Sequence, residues 1–481
     1  MQHLPRSLSF AACTAALLAL ASARAAAQDA RPIAFTNARL LTMAGEPIEG
    51  GTLVVRNGKI EAIGKDAVVP AGARVIDCTD MTIMPGLVSA VSSAGLTQPP
   101  SRRTQPTQQR GRRSMPMPMP GGGGGAQDKA ATRVVDGIYA KQPVFGDLLR
   151  AGVTTLALTP PGSAFPGLGA ILNPDGKSLD ELTEQAEGFV QIGMSIDAQT
   201  KKLLKGNFDA AAKVLEARKK PPEPKPEEKK PEEAKPEAKK EEPKPEEKKG
   251  ETPPQPQPTP TPDPKPEPKP EPKQDPKPAQ PQQPAAQRRP EPPKNPNIEV
   301  LADLLEGKRR AMLEISSAAE MLHWQQVFET TPKFQRTLVV QSYNTQQGTI
   351  DEVLEQAKSF ECAVLLPPTL STTPRSRMLT HPAKALHDAG IEIGFLLGSN
   401  DATVKQTFFR LMELVRTGLP SDVALRGVTL VPAKALGVQE RTGSLEVGKD
   451  ADLLVFHGDP LTPSSELHAV WRRGQKVPEK P

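Results

Sequence analysis

Histidine is scarce in this chain. Six occur among 481 residues, at positions 3, 323, 381, 387, 457 and 468, and none form a His-x-His or His-x3-His pair. His381 and His387 stand six apart, ~240° around a helix, so they do not share a helical face. Aromatic residues make up 4% of the chain, too few for base-stacking platforms. The formal charge of +5 is weak for this length and speaks against nucleic acid, which needs a concentrated basic face. With three cysteines there is no disulfide framework. No Gly-x-Ser-x-Gly elbow or Cys–His pairing is present, which excludes the usual serine and thiol hydrolases. The apolar run near the start, residues 10–20, is too short to span a bilayer. With Arg6 before it and Ala23-Arg24-Ala25 or Ala25-Ala26-Ala27 after it, residues 1–27 read as an export signal. Cys13 precedes most of that run, so it is not expected to carry a lipid. A periplasmic or secreted location follows as the expectation. Cys78 and Cys362 then remain, and we expect them buried singly although export permits a bridge.

Proline, by contrast, is abundant, with 54 residues concentrated in one tract. Residues 219–296 repeat units such as Lys-Pro-Glu-Glu-Lys-Lys. Proline there blocks both helix and sheet hydrogen bonding, and the tract is expected to be a disordered insertion. Fully extended, a tract of that length reaches roughly 200 Å. Lengthening a loop from about ten to about 75 residues costs only ~2 kcal/mol, so a fold can carry it if its ends lie close together. It reads either as a spacer contacting the cell envelope or as a tolerated insertion. A second insertion, 97–128, holds Arg102-Arg103, Arg112-Arg113, a Met-Pro repeat and five successive glycines. It reads as a low-complexity loop, with a basic arm as the functional alternative.

The remaining sequence is patterned. Residues 32–80 alternate like short strands, with Asn57-Gly58 as a two-residue hairpin turn. Residues 430–480 contain Gly443-Ser444-Leu445-Glu446-Val447-Gly448-Lys449-Asp450-Ala451-Asp452-Leu453 and a final hairpin through Trp471. Between them, residues 81–429 alternate apolar strands with helical spacing. Eight strands are expected, near 87–91, 152–158, 169–172, 189–194, 311–315, 337–341, 362–366 and 391–397. Helices are expected over 143–151, 198–218, 298–306 and 350–358. Strands alternating with helices indicate a parallel α/β arrangement.

The stretch Ile83-Met84-Pro85-Gly86-Leu87-Val88-Ser89-Ala90-Val91-Ser92-Ser93 resembles the first barrel strand of the amidohydrolase superfamily, metal-dependent hydrolases of the imidazolonepropionase and dihydroorotase kind. The closing Gly-Ser-Leu-Glu-x-Gly-Lys-Asp-Ala-Asp-Leu run resembles the same family. The resemblance implies a (β/α)8 TIM-like barrel over 81–429 and a composite β-sandwich from both chain ends. It also implies a divalent metal such as zinc, held by imidazoles and a carboxylate at the strand ends. At the matching positions this chain has Val91 and Ser93 in the first strand, Glu314 and Ser316 in a later one, Gln341 in the next, and Asn400 in the last motif. The expectation is therefore a non-catalytic relative without a metal cofactor. It would bind a small molecule or partner an active paralogue. The alternative is an active hydrolase of carbon–nitrogen bonds other than peptides, with an atypical metal site using Glu314 and Asp401 as catalytic candidates.

Overall fold

A computed structural model describes residues 31–96, 126–219, 294–343 and 346–479. The expected signal and most of both insertions lie outside these residues. The chain divides into two units, of which the second, 221–293, is likewise outside them.

Five strands open the first unit: β1 (Ile33–Leu40), β2 (Ile48–Arg56), β3 (Lys59–Gly64), β4 (Arg74–Asp77) and β5 (Met81–Pro85). The barrel follows with β6 (Leu87–Ser92), β7 (Gln127–Asp128), β8 (Val153–Leu158), β9 (Ala164–Leu172), β10 (Thr183–Gly193), β11 (Ala311–Ile315), β12 (Arg336–Val340) and β13 (Val364–Leu366). After the small hairpin of β14 (Ser371–Thr372) and β15 (Leu379–Thr380) comes β16 (Ile393–Phe395). The chain ends with β17 (Leu453–His457), β18 (Glu466–Arg472) and β19 (Gln475–Lys476).

One sheet takes both chain ends, in the order β19-β18-β17-β5-β1-β2-β3, with β4 added beside β1. The Asn57-Gly58 turn has the expected positive φ at both residues, 51° and 76°. It reaches the closing segment, where Ala451 N–H donates to the Gly58 carbonyl at 2.8 Å and Ile60 N–H to that of Lys449 at 2.9 Å. The sheet thus curls over one apolar core containing Phe35, Leu53, Ile83, Leu453 and Trp471.

The Pro85-Gly86 step is where the chain leaves this sheet for the barrel. β5 pairs with β17 and β1, whereas β6, one residue later, pairs with β8. Glycine is needed there because a Cβ on Gly86 would stand 2.2 Å from Thr154 Oγ1. The barrel sheet runs β16-β13-β12-β11-β10-β9-β8-β6, and β7 joins β9. Its two edges meet a common short segment. Val88 N–H on β6 donates to the Val428 carbonyl at 3.0 Å, and Phe395 N–H on β16 donates to that of Gly427 at 2.7 Å.

The all-parallel expectation is corrected at one strand. β9 runs antiparallel to both β8 and β10, and it extends back to Ala164 rather than starting at 169. Only residues 159–163 join β8 to β9, too short for a parallel crossover, so the chain must turn back. The expected strand over 189–194 likewise begins earlier, at Thr183. Helices occur at Pro143–Arg150, Ala198–Lys219 and Pro296–Leu305, close to expectation. The helix expected over 350–358 is split at Val353 into a 3-10 turn, Ile350–Glu352, and Leu354–Ser359. Residues 127–128, assigned to the first insertion, form β7 in the sheet.

The long insertion leaves from Lys219 and returns at Lys294, and one side chain ties its flanks together. Arg218 pairs with Glu299 and, at 2.8 Å each, with Asp303 and Glu306. This is the closeness of ends that loop entropy requires of a long insertion.

Barrel and sheet are joined by charged groups from the closing motif. Arg472 is buried against Asp452, with Asn173 Oδ1 accepting from its guanidinium at 2.7 Å. Arg441 holds Glu184 through two hydrogen bonds, 2.6 and 2.7 Å, and Asp450 at 3.0 Å. Burial alone would raise the Asp450 carboxyl. The Arg441 hydrogen bond and the charges of Arg441 and Arg473 outweigh it and bring the group below the usual range.

Candidate functional site

The C-terminal ends of parallel barrel strands are where TIM-like barrels carry their chemistry. Ser93 follows β6, Ser316 follows β11 and Gln341 follows β12, so those positions share that rim. Asn400 lies a few residues past β16 on the same side.

Glu314 is the interior carboxylate of this group. Side chains along a strand alternate between faces, so Met312, within the barrel's inner core, and Glu314 share the inner face. The Glu314 carboxylate accepts from Gln191 Nε2 at 3.0 Å. Burial pushes its carboxyl above the usual range and the nearby Glu320 adds to this, while hydrogen bonds from Gln191 and Gln341 pull the other way. Gln191 is fully buried, and its Oε1 has no hydrogen-bond partner. Of the matching positions Ser93, Gln341 and Asn400, Glu314 meets one. Gln341 is a partner, and Gln191 is the one not foreseen. Its signal was present: an amide in the otherwise apolar run Phe189-Val190-Gln191-Ile192.

The other positions are occupied in local structure. Val91 is buried with 8% exposure among aliphatic side chains and offers no donor atom. Ser93 N–H and Oγ lie 3.1 and 3.3 Å from Ser399 Oγ. Ser316 donates its N–H at 2.6 Å and its hydroxyl at 3.0 Å to Glu320. Asn400 caps the helix Asp401–Lys405, its Oδ1 accepting from Thr403 N–H at 3.0 Å. Asp401 pairs with Lys405 at 3.2 Å and lines an outer cleft beside His457 and His468. The structure therefore joins Glu314 to Gln341 and does not join it to Asp401.

The remaining histidines serve elsewhere. His381 Nδ1 accepts from Lys384 N–H at 3.0 Å as a helix cap, and His323 lies in the helix Ala318–Phe328. Among the described residues, no three His, Cys, Asp or Glu side chains are grouped to hold a metal. The residues at the rim do not fit a divalent ion: Glu314 is already hydrogen-bonded to amides and Glu320 to Ser316, beside hydroxyls, an amide cap and a valine. Cys78 and Cys362 are free, and burial pushes each thiol up to about 11, away from a thiolate at neutral pH. No described helix is long and apolar enough to cross a membrane.

Fold and rim together define a TIM-like barrel with an added sheet built from both chain ends. The amidohydrolase family model matches residues 347–477. An imidazolonepropionase of Micrococcus luteus is 38% identical over 110 residues, 20% of this chain and 26% of that enzyme. One from Rhizobium meliloti is 37% identical over 106 residues, 21% of this chain and 25% of that enzyme. This chain thus spans about a quarter of the length of these curated relatives. An amidohydrolase structure from Thermotoga maritima superposes with a TM-score of 0.64 at 18% identity, covering 93% of this chain and all of that one, which speaks to the fold alone. The family-model match and these relatives support an amidohydrolase superfamily member.

Proposed function

We propose that this protein is a catalytically silent amidohydrolase of the imidazolonepropionase and dihydroorotase-like kind, exported to the periplasm or beyond. Its barrel mouth takes a small molecule or supports contact with an active paralogue. The curled sheet serves as the family's flanking composite sandwich, and the Pro/Lys/Glu-rich insertion as an envelope-reaching spacer. The observation that carries the reading is the pairing of Glu314 with Gln191 at 3.0 Å. Amides satisfy this carboxylate, and burial, with the nearby Glu320, favours its neutral form, as suits a group that holds no cation.

The test is turnover of cyclic and acyclic amide-type carbon–nitrogen bonds by the purified full chain, with and without added Zn2+. The expected result is none in either case. Turnover that appears with zinc and disappears in Glu314→Gln would replace this reading with an active hydrolase built on an atypical metal site.

A further inference from the structure

Outside the barrel mouth, two of the six histidines meet on the added sheet. β17 and β18 run antiparallel, with Val455 opposite Ala469 and Phe456 opposite Leu467. One residue, His468, is therefore extra in the ladder. Such a bulge re-aims its side chain, and here it turns His468 toward His457 on the neighbouring strand. The rings lie 4.6 Å apart between centroids, and His457 Nε2 stands 3.1 Å from His468 Nδ1. Both residues are exposed.

We propose that His457 and His468 form a surface site for a divalent transition-metal ion. Two imidazole nitrogens bound at ~2.0–2.1 Å to one ion, at angles between square-planar and tetrahedral, lie about 2.9–3.4 Å apart. The observed 3.1 Å falls within that range, so an ion can take the place of the proton that the two nitrogens share. Imidazole selects nickel, copper and zinc over calcium or magnesium. Glu466 stands directly opposite His457 in the ladder. Three-residue metal groupings are absent among the described residues, so the protein gives two ligands and water completes the shell.

The surroundings do not repel a cation. The site borders a cleft of about 450 Å³ whose facing helices carry Arg150 and Lys405. Each is paired on its own helix, Arg150 with Asp147 at 2.5 Å and Lys405 with Asp401 at 3.2 Å. Lys476 lies 3.9 Å from Glu479.

The test is calorimetric titration of the untagged full chain with Ni2+ at pH 7.5. One equivalent should bind. His457→Ala and His468→Ala should each weaken binding at least tenfold, while His387→Ala leaves it unchanged and circular dichroism shows all three folded. Absence of binding at pH 7.5, or binding that survives both alanine variants, would overturn the proposal.

Discussion

The junction between barrel and added sheet differs in kind from the barrel mouth. At the junction, each guanidinium meets carboxylates: the buried Arg472 with Asp452, and the half-buried Arg441 with Glu184 and Asp450. At the mouth, one carboxylate meets amides, and a buried amide oxygen of Gln191 has no partner. Charge in the first region is matched by opposite charge, and in the second it is matched by neutral dipoles. Full charge is therefore concentrated where the fold must be held together. The mouth is polar, and among the described residues no three carboxylate, imidazole or thiol groups gather there to hold a cation.

The largest expected effect tests the junction. Arg472→Ala leaves Asp452 buried without its cation, and urea unfolding should show a loss of about 3–5 kcal/mol. A loss below about 1 kcal/mol would mean that the pair is no more than a surface contact, as exposed pairs are. At the mouth, Val91→His places an unpaired polar ring among aliphatic side chains. It should cost about 1–3 kcal/mol by the same measurement, and tight zinc should not appear on metal analysis after dialysis. Gain of zinc together with unchanged stability would show that the mouth can accept a metal after all.

Replacing residues 221–293 by a ten-residue linker should raise stability by no more than about 2 kcal/mol, through shorter loop closure. A large loss of stability would show that the insertion contributes to the fold. The smallest effect concerns Glu314. Its carboxyl is raised in the folded state, so its contribution is fully present at low pH and is lost as pH rises through the folded value. Glu314→Gln should therefore raise the thermal midpoint at pH 8 and leave it unchanged at pH 4.5. The reverse pattern would mean that the carboxylate is stabilised in its charged form, as a cation-binding group would be.

Much of the architecture was readable along the chain. Asn57-Gly58 demanded a hairpin because only such residues tolerate positive φ at both turn positions, and the structure has it. The alternation in residues 32–80 and 430–480 identified strands at both ends, and they share one sheet. The direction of β9 was not readable. Its residues are buried along the whole strand, and a continuous apolar run carries no mark of direction or face.

The site divides along the same line. Sequence alone determined which residue types stand at the positions matched by resemblance to the family's ligand strands, and how few imidazoles the chain holds, because identity and count need no coordinates. Tertiary structure decided who meets whom: Gln191 with Glu314 across neighbouring strands, Asp401 turned to an outer cleft, and His468 swung beside His457 by a bulge. These are contacts between residues far apart in the chain or displaced by one step of register. Pleat, strand order and bulges set them, and a linear pattern does not encode those.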